Sequence, residues 1–280
     1  MARQKLGQHF LSDPGWREKI ARAIGVSAHS IGGARPSQPD SVWIEIGAGH
    51  GEMTRHLAAT GSPVIAVEFD PPLAARLRDL AADFPNLTVV HADILQADIA
   101  ALAAGRRVRV YGNLPYYITS PILHRLFEFA DLIDEIHIVI QLEVAFRLAA
   151  KPASRDYGYL SVLTQYFSRP NLAMKIPPGA FRPPPEVGSA VVSLRLPGER
   201  AKLALPGEAR FLEFVKLCFA QKRKTLSNNL RSIADPPRIR QSLEAQSLRP
   251  DARAEQLSVA QFAALYSALP GQGEAPTVQG

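Results

Sequence analysis

Val42-Trp-Ile-Glu-Ile-Gly-Ala-Gly-His-Gly51 decides the fold. Its first half, Val42 to Ile46, is apolar and β-branched enough for a buried strand. Its second half places glycine at alternate positions just before a helix expected over Glu52 to Ala59, with Met53, His56 and Leu57 on one side. Glycine permits a tight turn there and lets a ligand come close to the backbone. The loop alone leaves the ligand open, because nicotinamide and flavin binders use the related GxGxxG form.

Outward from this stretch, strand and helix signals alternate. Strands are expected at Pro63–Val67, Leu87–Val90, Val108–Tyr111 and Glu135–Ile140, with helices at Leu73–Ala82 and Pro121–Phe129. This alternation argues for an α/β domain with a doubly wound, mostly parallel sheet, in which ligands sit outside the carboxyl ends of the strands. Helices at Glu143–Ala150 and Tyr159–Phe167 follow, then strands at Leu172–Ile176 and Ser189–Leu196, separated by a Pro-rich turn at 181–186. Pro197-Gly198 and Pro206-Gly207 bracket a linker. Beyond it the pattern is helical, over Phe211–Ala220, Thr225–Ile233, Ile239–Ala245 and Val259–Leu269. The expected division is therefore an N-terminal arm plus α/β domain over 1–204 and a small all-helical domain over 205–280, its last ten residues a disordered tail.

Composition is that of a soluble globular protein, with 46% hydrophobic and 21% charged residues. No apolar run approaches the roughly 18 residues of a membrane span, and the first residues lack a secretory pattern, so a cytoplasmic protein is expected. The lone Cys218 falls in the apolar series Phe211, Phe214, Val215, Cys218, Phe219 and reads as a core thiol. Net charge is +6, unevenly spread: residues 1–40 carry six Lys/Arg against three Asp/Glu, 41–200 fifteen against sixteen, and 201–280 eleven against seven. A near-neutral middle between basic flanks suits a polyanionic partner, although a merely solvated surface would look the same.

Three acidic or amide side chains fall at successive strand ends. Glu68 can accept both hydroxyls of a ribose, a role shared with NAD binders. Asp93 can accept from an adenine amino group, or simply N-cap a helix. Asn113-Leu-Pro-Tyr116 adds an amide, a proline-fixed turn and an aromatic ring. The lone pair of adenine N6 is delocalised into the ring, so this nitrogen is a poor nucleophile. Two carbonyl acceptors, the Asn113 side chain and the Leu114 backbone, would bind its two hydrogens and draw it toward tetrahedral geometry. Pro115 fixes the turn and brings no competing N–H. Tyr116 would stack on the base, worth about 1–3 kcal/mol. Together these features read as S-adenosylmethionine-dependent methyl transfer to adenine N6, with no metal expected.

With these motifs the chain resembles the ribosomal small-subunit RNA adenine dimethyltransferases, the KsgA/RsmA family. The matching stretches are Lys5-Leu-Gly-Gln-His-Phe-Leu11, Glu45 to Gly51, Glu68, Asp93, Asn113 to Tyr116, Gln141-Leu-Glu-Val-Ala145, Tyr157 to Val162, Phe181-Arg-Pro-Pro-Pro-Glu-Val187 and Gln221-Lys-Arg-Lys-Thr-Leu226. The resemblance implies a Rossmann-like S-adenosylmethionine-dependent methyltransferase domain with a C-terminal helical domain. It further implies transfer of four methyl groups to two adjacent adenosines in the terminal hairpin loop of 16S rRNA, within an assembling small (30S) subunit. His9, Leu11, Gly47, Glu68, Asp93 and Asn113 would contact the cofactor, and Phe181 would face Tyr116 across the target base. Without the resemblance, Phe181 reads as a core phenylalanine. Lys222, Arg223 and Lys224 would contact RNA phosphates; the plainer reading is a solvated helix face.

Many members have Asn at position 9, Pro at 48, Lys at 142 and Asp at 188, where this chain has His9, Ala48, Leu142 and Gly188. A macrolide-resistance enzyme acting on large-subunit rRNA shares much of the motif set, and a non-catalytic assembly factor is the rival outside the enzymes. Nothing in the sequence demands more than a monomer.

Overall fold

The computed structural model describes residues 9–26, 41–203, 205 and 207–269. Residues 5–8 of the first motif, the bracketing Pro206 and the expected C-terminal tail lie outside them. The described chain forms two compact units, one of residues 1–145 with 170–196 and the other of 146–169 with 197–280.

The first unit holds the sheet. Strand β1 (Phe10–Leu11) leads into helix α1 (Pro14–Ala23). The signal for α1 is local: Asp13 accepts the Trp16 N–H at 3.0 Å and Pro14 opens the helix. Then come β2 (Ser41–Ile46), α2 (Thr54–Ala58), β3 (Val64–Glu68), α3 (Pro71–Ala81), β4 (Leu87–His91) and α4 (Ile99–Ala103). β5 (Arg107–Asn113), α5 (Thr119–Phe127), β6 (Ile133–Gln141) and α6 (Leu142–Ala149) follow, the last passing from one unit into the other. β2 to β6 pair in parallel, and β9 (Ser189–Arg195) lies antiparallel on β6. With β7 (Arg169–Ile176) at the edge, the seven-stranded order is β4-β3-β2-β5-β6-β9-β7.

All residues of β2 and β3 are buried, which requires layers on both faces of the sheet. On one face Trp43, Ala66, Tyr111, Val139 and Val191, from successive strands, join Ile20, Leu57 and Leu77 from α1, α2 and α3 in one core. This is the doubly wound architecture that the strand–helix alternation predicts.

A second, two-stranded sheet was not foreseen. β8 (Phe181–Arg182) pairs antiparallel with β1, Phe10 opposite Arg182 and Leu11 opposite Phe181. Ser12 and Asp13 extend the contact by donating their N–H groups to Ala180 O at 3.0 and 3.2 Å.

The second unit is helical, with α7 (Tyr159–Phe167), α8 (Arg200–Leu203), α9 (Glu208–Cys218), α10 (Leu226–Asn229), α11 (Pro236–Glu244) and α12 (Val259–Ala268). Its core is aromatic. Tyr166 of α7 meets Phe211 of α9 with ring centroids 5.1 Å apart, and Phe211 meets Tyr266 of α12 at 5.6 Å. Those contacts group α7 with the C-terminal helices, so the unit begins before the sequence division at 204/205 and takes in 146–169. Cys218 is fully buried here, and burial pushes its thiol up, as a core residue requires.

The helix expected over Thr225–Ile233 closes after Asn229, whose side chain donates to Cys218 O at 2.7 Å. Lys222, Arg223 and Lys224 are exposed in the turn before α10 and do not form a helix face. Among the described residues no helix is long and apolar enough to cross a membrane.

Candidate active site

The site lies at the carboxyl ends of β2, β3, β4 and β5, where two adjoining cavities share Gly47, Glu68 and Pro115. The larger has Asp93, Phe69, Leu95 and Ile122 among its walls. The smaller is bounded by His9, Phe10, Gly49, Asn113, Leu114 and Tyr116. One is broad and mostly apolar with a few carboxyl groups, as a nucleoside site requires. The other is a slot between an amide and a ring.

Glu68 is 3% exposed, and its orientation is fixed by backbone. Oε2 accepts the Gly49 N–H and Oε1 the Asp70 N–H, both at 2.9 Å. A carboxylate has about four acceptor positions, so both oxygens can still accept hydroxyls. The glycine loop makes this possible. Gly49 has φ +59°, and a Cβ there would lie 3.2 Å from the Phe10 ring. Gly51 has φ +83°, and a Cβ would lie 2.5 Å from Leu80 Cδ2.

Asp93 caps a turn, not a helix: its Oδ1 accepts the Leu95 N–H at 2.9 Å, and the residue lines the larger cavity. Beneath the loop, Glu45 is 2% exposed, and burial pushes its carboxyl up to about 8. Nearby Glu52 and Glu68 push in the same direction, and Thr54 opposes them.

Asn113 ends β5. Its Nδ2 donates to His9 O at 2.9 Å, which leaves Oδ1 as the free acceptor of the amide. Leu114 is held by its N–H to Val139 O at 3.0 Å. Pro115 (φ −58°) then turns the chain into a 3-10 turn, Tyr116–Ile118. The arm closes over this turn: the His9 ring stacks on Tyr116 with centroids 5.6 Å apart and 25° between planes. His9 Nδ1 donates to Pro183 O at 2.8 Å, so the tautomer is set by a carbonyl that can only accept.

Of the residues singled out in the sequence, His9, Gly47, Glu68, Asp93, Asn113, Leu114, Pro115 and Tyr116 converge on these cavities. Leu11 and Phe181 do not. They are 5% and 2% exposed, face each other in the β1–β8 ladder and belong to the sheet core. The ring found on Tyr116 is that of His9, not of Phe181. Lys222, Arg223 and Lys224 belong to the helical unit. Sequence reasoning missed Phe10, Phe69 and Tyr117, which wall the cavities. Phe69 and Tyr117 are 58% and 64% exposed, and an exposed aromatic has no signature in a periodicity pattern.

The departures at 142 and 188 are neighbours. Leu142 N–H donates to Gly188 O at 2.9 Å, and a Cβ at Gly188 would lie 4.0 Å from Leu142 Cδ2, in ordinary contact. A lysine at 142 and an aspartate at 188 would therefore lie side by side.

Comparison with known proteins agrees with this geometry. The family described as Ribosomal RNA adenine dimethylase matches residues 1–270. A protein of Xanthomonas campestris pv. campestris (strain B100), named Ribosomal RNA small subunit methyltransferase A, is 41% identical over 261 residues, covering 93% of this chain and 94% of its own. One of the same name from Koribacter versatilis (strain Ellin345) is 41% identical over 278 residues, covering 95% and 93%. Among solved structures, a dimethyladenosine transferase from Plasmodium falciparum superposes with TM-score 0.73 at 21% identity, over 92% of this chain and 96% of that one, a likeness of fold. The 23S rRNA methyltransferase ErmE superposes with TM-score 0.68 at 28% identity, over 93% and 99%. The chain belongs to the ribosomal RNA adenine dimethylase family.

Proposed function

We propose that this enzyme dimethylates N6 of two adjacent adenosines in the 3′-terminal hairpin loop of 16S rRNA, during assembly of the small subunit, with S-adenosylmethionine as methyl donor. The observation that carries the reading is the sharing of Gly47, Glu68 and Pro115 by the two cavities, so that a nucleoside site opens directly onto the Asn113–Tyr116 slot. The donor set fits the cofactor: a backbone-fixed carboxyl at Glu68 for ribose hydroxyls, Asp93 for an adenine amino group, and apolar walls for the flat base. His9 and Gly47 complete the rim of that site. When bound, S-adenosylmethionine supplies an electrophilic methyl on its sulfonium.

The chain's own residues prepare the acceptor. Asn113 Oδ1 and Leu114 O accept the two N6 hydrogens, and Tyr116 stacks on the base turned out of the RNA. Leu11 and Phe181 support this wall from the core behind it. No strong general base is needed, because the methylated nitrogen is acidic enough to lose its proton to water. Lys222, Arg223 and Lys224 are proposed to meet phosphates; their exposure in one turn supports this. The enzyme is proposed to act as a cytoplasmic monomer.

Radiolabelled methyl transfer to small subunits lacking these methylations, with large subunits in parallel, tests the reading. N6,N6-dimethyladenosine confined to small-subunit RNA is expected. Label confined to the large subunit would move the enzyme to the resistance-type branch. No label, with small-subunit binding intact, would favour an assembly factor without catalysis.

A further inference from the structure

Tyr116 opens a short 3-10 turn, and no neighbour in sequence holds its phenol. Its Oη instead lies 2.9 Å from Ser189 Oγ, 73 residues away. The side chain starts from the end of β5 and reaches past the end of β6 to β9, two strands along the sheet.

Ser189 is fully buried and is the first residue of β9, in register with Gln141. Its neighbour Gly188 accepts the Leu142 N–H at 2.9 Å, so the backbone is pinned on both sides of the hydroxyl. A phenol half withdrawn from water needs a partner, and burial pushes the Tyr116 phenol up while the Ser189 bond offsets part of that shift. The ring is thus tied at its far end to a buried strand of the sheet, while His9 meets it face on.

We propose that Ser189 is a positioning residue for the acceptor step: its hydroxyl fixes the tilt of the Tyr116 ring, and so the plane in which the target adenine is presented to the methyl donor. The inference rests on the function proposed above. A serine present only to satisfy a buried phenol would affect folding and leave the methyl-transfer step alone. A serine acting through the ring affects turnover, because a small misplacement of reacting atoms is costly in rate.

The test is a double-mutant cycle of Ser189→Ala, Tyr116→Phe and both, in the full chain, with small and large subunits as substrates. It is read by kcat and KM for methyl transfer, by S-adenosylhomocysteine affinity from calorimetry, and by thermal midpoint. Each single variant is expected to lower kcat by about three- to tenfold, the size of one neutral hydrogen bond, with S-adenosylhomocysteine affinity unchanged. The double variant is expected to be no worse than either single. Ser189→Thr, which keeps the hydroxyl, is expected to restore turnover. Additive losses, wild-type kcat in Ser189→Ala, or a lowered midpoint with unchanged kcat would overturn the inference while wild-type transfer stands. No transfer by wild type to either subunit would overturn the proposed function first, and this inference with it.

Discussion

Strands β5, β6 and β9 carry polar groups at both ends, under opposite rules. At the end away from the site, Arg109, Glu135, His137 and Ser193 satisfy one another. Arg109 lies 3.5 Å from Glu135 and stacks its guanidinium 4.1 Å over Trp43. His137, 3% exposed, meets Glu135 Oε2 through Nε2 at 3.0 Å and Ser193 through Nδ1 at 2.9 Å. If Nε2–H donates to the carboxylate, Nδ1 accepts from the Ser193 hydroxyl, so a neutral imidazole serves both partners. Burial favours that form by lowering the His137 pKa.

At the other end of the sheet the amide and the carboxyl that face the cleft are held by backbone groups. A carbonyl of His9 takes one half of the Asn113 amide, and two N–H groups hold Glu68. Serines of β9 four residues apart mark the contrast: Ser193 closes the paired network, and Ser189 ties a ring of the cleft. Side-chain pairing spends the binding capacity of both partners. Backbone anchoring orients a side chain and leaves its acceptors for a ligand.

The largest expected effect separates the two ends. Asn113→Ala should lower methyl transfer by about 10²–10³-fold, the scale of losing a transition-state hydrogen-bonding group, with little change in subunit binding. Radiolabel incorporation and a subunit pull-down check this; parallel loss of both would mean that the cleft end is also structural.

Next in size is Glu135→Gln, expected to cost about 1–3 kcal/mol of stability by leaving His137 and Arg109 poorly partnered, with turnover of the folded protein unchanged. The hydrogen bond from His137, then the nearby Arg109 and Arg195 charges, hold the Glu135 carboxyl down to about 2 against an ordinary 4.5, although burial pushes it up. Its stabilisation is therefore present above about pH 4.5 and fades as pH falls toward 2. The difference in thermal midpoint between wild type and variant should shrink over that window. A difference constant with pH would refute the assignment.

The smallest effect is expected at the margin of the cleft. Introducing Leu142→Lys together with Gly188→Asp should show a coupling of about 0.2–1 kcal/mol in a double-mutant cycle of denaturant unfolding, as for a partly exposed ion pair. No coupling would mean that the two departures are independent.

Much of this was legible in the chain. The β-branched runs and the glycine loop specify strands and turns locally, so the parallel core of the sheet follows from Val42–Gly51 and its repeats of strand and helix. Glu68, Asp93 and Asn113 were legible as cavity-lining residues because each falls at a strand end, which the fold brings to one edge. Helix α1 was legible too, in Asp13-Pro14, yet passed over. What the sequence by itself determined are features with local causes: hydrophobic period, caps and glycines at forced turns.

Only the tertiary structure decided the rest. It paired Leu11 with Phe181 and buried both, tied Tyr116 to Ser189, chose which end of the Asn113 amide faces the cleft, set 142 beside 188, and grouped α7 with the C-terminal helices. Each of these is a contact between residues far apart in the chain. Such contacts are set by register and packing across the whole core, and no pattern within a short window encodes them.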